Sequence, residues 1–160
     1  MKQIKKILLF LAPCALYLMS CTTIDLFEKT VIIPQHKWES SFKPSFTFTI
    51  KDTSSPYQLF LVLRHNDKYN YNNIYINLIT QQPGQDSTQK ASFDLPLATT
   101  EKGWLGIGMD DIYDHLIPLT PQNQPLYFKS PGNYTFTIEQ IMREDPLENV
   151  LNTGLRIEKK

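Results

Sequence analysis

Cysteine is scarce in this chain: two among 160 residues, Cys14 and Cys21. Cys14 sits inside an apolar amino-terminal run, so if that run is removed Cys21 alone remains and no intrachain disulfide is possible. Long hydrophobic runs are missing too. The longest, from Ile7 to Met19, has 13 residues, short of the roughly 20 that span a hydrocarbon core. An excess of one charge is also lacking, with 16 Lys+Arg against 16 Asp+Glu. No basic stripe or polybasic tract is present to neutralise phosphates or bind anionic lipid, which argues against a nucleic-acid partner. Helical periodicity is almost absent, and the three histidines fall in none of the spacings that zinc sites use.

The amino terminus carries the clearest positive signal. Lys2, Lys5 and Lys6 precede the apolar run, which closes on Leu18-Met19-Ser20-Cys21. This is the layout of a bacterial lipoprotein signal peptide, too short for a span and cut before a cysteine bearing diacylglycerol. Residues 1–20 are therefore expected to be cleaved, with Cys21 lipidated, residues 21–30 forming a tether and 31–160 a single domain. An ordinary secretory signal and an uncleaved anchor are the alternatives. Removing the three lysines leaves 13 basic against 16 acidic side chains, a net charge of −3. Attachment then rests on the acyl chains, where each buried methylene contributes about 0.8 kcal/mol.

Beyond the tether the pattern has period two. Phe46, Phe48 and Ile50 alternate with Thr47, Thr49 and Lys51, and Tyr134, Phe136 and Ile138 with Thr135, Thr137 and Glu139; each predicts a strand with one buried face. Tyr57 to Arg64 is apolar on both faces, with Leu59, Leu61 and Leu63 on one side and Phe60 and Val62 on the other, and predicts a central strand. Asn73 to Thr80 predicts another, with Ile74, Ile76 and Leu78 inward and Tyr75 and Asn77 outward. Ala91 to Leu97, interrupted by Pro96, suits an edge. Further strands are expected at 30–33, 112–119 and 155–157, and a short helix after Asp145-Pro146. About eight or nine short strands argue for an all-β antiparallel sandwich, with a small barrel as the alternative.

Candidate chemistry is thin. His36, His65 and His115 read as loop or surface residues, and His65 beside Asp67 lacks an evident nucleophile. Asp110, Asp111 and Asp114 form a weak calcium candidate without the spacing of a calcium loop. No serine elbow is present, so neither an enzyme nor a cofactor is expected. Tyr69, Tyr71 and Tyr75 at even spacing, with Asn73 and Asn77, would share one outward face if the strand begins early, and could take a glycan or peptide. Trp38 and Trp104 are expected half-buried at a sandwich end.

Several stretches together resemble a known family: His-Lys-Trp at 36–38, Phe-Lys-Pro-Ser-Phe-Thr-Phe at 42–48, Arg-His-Asn-Asp at 64–67, Asn-Asn-Ile-Tyr-Ile-Asn-Leu at 72–78, Gly-Trp-Leu-Gly at 103–106 and Gln-Ile-Met-Arg at 140–143. They are similar to the gliding motility lipoprotein GldH family of the Bacteroidota. The resemblance implies a non-enzymatic accessory component of gliding motility and the associated type IX secretion machinery, partnered by other gliding and secretion lipoproteins. It supplies no catalytic residues; Arg64, His65, Asn66, Asp67, Trp104 and Gly106 are candidates for a partner surface. Thr22 after Cys21 favours the outer membrane over inner-membrane retention, facing the periplasm.

Overall fold

The computed structural model describes residues 26–121 and 123–160; Cys21, the signal segment and residues 22–25 lie outside the described residues. In chain order the strands are β1 (Leu26–Ile32), β2 (Lys37–Trp38), β3 (Ser45–Ile50), β4 (Tyr57–Asn66), β5 (Asn73–Gln81), β6 (Thr88–Pro96), β7 (Ala98–Thr99), β8 (Gly103–Trp104), β9 (Ile107–Met109), β10 (Ile112–Pro118), β11 (Gly132–Gln140), β12 (Leu147–Glu148) and β13 (Val150–Lys159). Among the described residues there is no α-helix; a 3-10 turn at Pro34–His36 is the helical exception.

Two antiparallel sheets form the sandwich, one ordered β1-β13-β4-β10-β9 and the other β3-β11-β5-β6. Their outermost strands keep open edges, so the fold is not a closed barrel. The doubly apolar β4 is central in the first sheet, and the proline-bearing β6 is an edge of the second, as alternation and proline placement predict. The two similar strands β3 and β11 are hydrogen-bonded neighbours, with Phe46 opposite Phe136 and Phe48 opposite Tyr134. These rings turn inward. Their outward neighbours form a hydroxyl row, with Ser45 Oγ 2.7 Å from Thr137 Oγ1 and Thr47 Oγ1 2.8 Å from Thr135 Oγ1.

The core lies between the sheets, where Leu59, Leu61 and Leu63 of β4 and Leu155 and Ile157 of β13 face Phe46, Phe136, Ile74, Ile76 and Ile138. Each such side chain contributes roughly 1.5–3 kcal/mol on burial. Gly154 sits mid-strand because β1 passes closely: a Cβ there would lie 2.4 Å from the Lys29 carbonyl oxygen.

Several expectations are corrected. β1 begins at Leu26, four residues before the expected strand, so 26–29 belong to the sheet and not to a tether. Asp145-Pro146 opens no helix. The bond is cis, the chain turns into β12, and Asp145 accepts the Ser40 N–H at 2.8 Å, capping a distant loop instead. Trp38 is fully buried, its indole N–H donating to the Phe42 carbonyl at 2.9 Å.

Candidate functional site

β4 runs from Tyr57, level with the start of β1, to Asn66 at the opposite end of the sandwich; the registers Leu26–Glu158 and Glu158–Gln58 fix this. The far end therefore lies about one strand length from the point where the described chain begins. Antiparallel β10 places Tyr113 opposite His65, Asp114 opposite Arg64 and His115 opposite Leu63. Since side chains alternate along a strand, the histidines turn inward, whereas Arg64 and Asp114 turn outward.

The His65 and His115 Nε2 atoms are 2.9 Å apart in the interior. His65 Nδ1 lies 2.7 Å from the Asn66 carbonyl oxygen, which can only accept, so Nδ1 carries the proton. In a neutral pair His65 Nε2 then accepts from His115 Nε2–H. Burial lowers the pKa of His65; burial and the neighbouring His65 hold His115 down to about 4. The rings of Trp104, Tyr69 and Tyr113 enclose His65 with centroids 4.4, 5.0 and 5.6 Å away. Gly106 allows the loop onto the pair, because a Cβ there would be 2.8 Å from His115 Nε2. Among the described residues no third histidine, cysteine or carboxylate completes a metal-binding group with them.

On the outer face, Arg64 Nη2 donates to Asp114 Oδ2 at 2.7 Å beside the Nε contact to Oδ1. The hydrogen-bonded guanidinium lowers the Asp114 pKa and the carboxylate raises that of Arg64. Around this pair lie exposed apolar side chains, Ile107 at 82% and Met109 at 78% accessibility, with Leu105, Ile112 and Leu116 also exposed. A cleft of about 820 Å³ opens there, between Leu95 and Pro96 on one wall and Leu116 and Ile117 on the other.

The expected tyrosine face does not form. Residues 67–72 are a loop preceding β5, and Tyr69 is buried at 4% accessibility with its hydroxyl donating to the Asn73 carbonyl at 3.0 Å. Burial pushes the Tyr69 phenol well above its ordinary pKa. Tyr71 is half-buried against Tyr69, and Tyr75 is exposed at 42%. Asn77 faces outward yet is covered: it donates to Glu139 at 2.9 Å and accepts from Ser92 at 2.7 Å. Trp104 is half-buried, as expected. His36 is exposed, but His65 and His115 are core residues, contrary to the surface reading. Asp67 is exposed and meets the site through its backbone, donating to the Asp111 carbonyl at 2.8 Å. The calcium candidate comes apart because Asp110 occupies a turn with φ 54° while Asp114 is engaged by Arg64. Sequence reasoning missed Tyr113 and the apolar β9–β10 residues; the alternation of Ile107, Met109, Ile112 and Leu116 with glycines and acids was the available signal.

Residues 25–157 match the family described as GldH lipoprotein. The chain belongs to the GldH lipoprotein family. Relatives include the gliding motility lipoprotein GldH homolog of Christiangramia forsetii, 27% identical over 132 residues and covering 78% of each chain. The gliding motility lipoprotein GldH of Flavobacterium johnsoniae is 26% identical over 157 residues, covering 91% of this chain and 92% of that one. Among solved structures, a mutant of the Escherichia coli periplasmic inhibitor of g-type lysozyme aligns with a TM-score of 0.40 at 13% identity, over 87% of this chain and 91% of that one.

Several of the stretches that carry the GldH resemblance are hydrogen-bonded into one network. Gln140 donates to the Trp38 carbonyl at 3.2 Å, Ile141 N–H to Tyr75 at 3.0 Å, and Leu97 N–H to Asn72 at 2.7 Å. Leu105, in the Gly-Trp-Leu-Gly stretch, donates to Leu97 at 2.8 Å. Segments from 36 to 143 are thereby joined across the fold.

Proposed function

We propose that this GldH-family chain is a non-catalytic envelope lipoprotein, anchored by acylated Cys21 at the periplasmic face of the outer membrane. Its role is an accessory or assembly component of gliding motility and the associated type IX secretion machinery. The observation that carries the reading is the exposed apolar surface of Leu105, Ile107, Met109, Ile112 and Leu116 beside the far end of the sandwich. Contiguous apolar surface outside a core marks an interaction site. Four residues, 22–25, separate Cys21 from Leu26, and the five Cα–Cα steps reach at most about 18 Å, so the anchor stays close to the end where β1 begins. The far end then projects toward other envelope proteins. His65 and His115 support the non-catalytic reading, because each ring nitrogen at their meeting point is occupied by the other.

Crosslinking in envelopes tests this. Gliding or secretion lipoproteins should be recovered with the wild type and lost with Ile107→Asp, while the protein stays in the membrane fraction. A glycan-binding role is the second reading, and it now rests on Tyr75. Glycan-array binding abolished by Tyr75→Ala, with no protein partner captured, would replace the first reading with the second.

A further inference from the structure

β9 covers less than half of β10. It pairs with Ile112, Tyr113 and Asp114, leaving His115 to Pro118 without a neighbouring strand on that side among the described residues. Hydrogen-bond direction along this stretch follows from the ladder. Leu119 N–H donates to the Leu59 carbonyl at 2.8 Å in the β4–β10 register, so odd-numbered residues of β10 bond toward β4 and even-numbered ones away from it. The N–H and C=O of Leu116 and the C=O of Pro118 therefore point into the 820 Å³ cleft. Pro118 fits this parity, since the donor it lacks would have faced the open side. Leu105, which would stand opposite Leu116 if β9 continued, peels away and donates its N–H to Leu97 instead.

The opposite wall is another open edge. Leu97 N–H donates to the Asn72 carbonyl, so by the same parity β6 directs the backbone of Ser92 and Asp94 away from β5. Further along this seam, where β10 ends, a second cavity of about 240 Å³ opens between the sheets among Leu59, Leu78, Phe93, Leu119 and Phe128. It is well above the roughly 10–15 Å³ that one water needs, and so has room for an apolar side chain. On the outer face of the first sheet Arg64 is matched by Asp114 and Arg156 by Glu28 and Glu158, whereas Lys129 lines the second cavity and Asp94 of β6 accepts from Asn73.

We propose that this seam binds an extended peptide segment of a partner protein, which adds to the free edge of β10 beside Leu116 and seats one apolar side chain in the inter-sheet cavity. The inference rests on the partner-binding reading above and gives its chemistry. Backbone pairing would supply affinity and the cavity selectivity, the general logic of strand addition.

The test uses a displayed library of random heptapeptides selected on the full mature chain. Enriched peptides should alternate apolar residues, protect the Leu116 amide from hydrogen exchange on the wild type, and bind Leu116→Pro at least tenfold more weakly while Leu116→Ala loses less than threefold. Proline at 116 removes the outward donor alone and leaves the β4 ladder intact. If that variant fails to fold, Leu116 amide protection on the wild type decides the matter. The proposal is overturned if no peptide is enriched, if enriched peptides leave the Leu116 amide unprotected, or if Leu116→Pro binds them equally. A concentration-dependent dimer abolished by Leu116→Pro would also overturn it, making a second copy the occupant. Failure here with partner crosslinks retained in envelopes rejects strand addition alone, whereas loss of those crosslinks rejects the partner-binding role.

Discussion

His65 and His115 share one hydrogen bond through their Nε2 atoms, 2.9 Å apart inside an aromatic enclosure. The bond needs an unprotonated Nε2 on His65, and burial disfavours charge on either ring, which links the fold to pH.

Their pKa values are depressed by folding, so the unfolded chain binds more protons between the ordinary value near 6.5 and the folded value. Stability therefore rises with pH across this window and falls as pH drops. For His115, held at about 4, the loss between pH 7 and pH 5 is about 2 kcal/mol, with a further loss from His65. Thermal melts across that range should show it, and His115→Gln should flatten the profile.

Glu139 acts in a more acidic window. It accepts from Lys43, Asn77 and Lys90, contacts that hold its pKa at about 2. Its contribution is present above the usual carboxyl value near 4.5 and is lost as pH falls toward 2. Glu139→Ala also strips the covered Asn77 amide of its acceptor, which should cost about 1–3 kcal/mol in urea denaturation at pH 7.

Much of this architecture is visible in the amino-acid order. Strict alternation at 46–50 and 134–138 identifies β3 and β11, and the doubly apolar 59–63 identifies the central strand. The far end is less legible because a turn and two long-range pairings decide it. Even spacing of Tyr69, Tyr71 and Tyr75 implies one face only if the backbone is extended throughout, and residues 67–72 turn instead, burying Tyr69. His65 continues the inward series of Leu59, Leu61 and Leu63, yet its partner His115 is 50 residues away and reaches it through the β4–β10 register. Asp145 looks like a helix cap, but its carboxylate is taken by Ser40 from 105 residues earlier.

Gly154→Ala should be among the most damaging small substitutions. Its Cβ would lie 2.4 Å from the Lys29 oxygen and 2.7 Å from Thr30 Cγ2, and both belong to the strand that follows the tether. Forcing β1 away should cost about 2–3 kcal/mol and make residues 26–32 sensitive to protease.

Arg64→Met should leave stability within about 1 kcal/mol, since the Arg64–Asp114 pair is solvent-exposed. Calcium or a chelator should not shift the melting temperature, because Asp114 is engaged by Arg64 and a ligand that bound the fold would have to raise it.

The most direct test places a photoactivatable side chain at position 107 in cells, with Thr47 on the outer face of the other sheet as the comparison. The proposed role predicts crosslinks at 107 to gliding or secretion lipoproteins and none at 47. Equal labelling at both positions, or none at either, would contradict it.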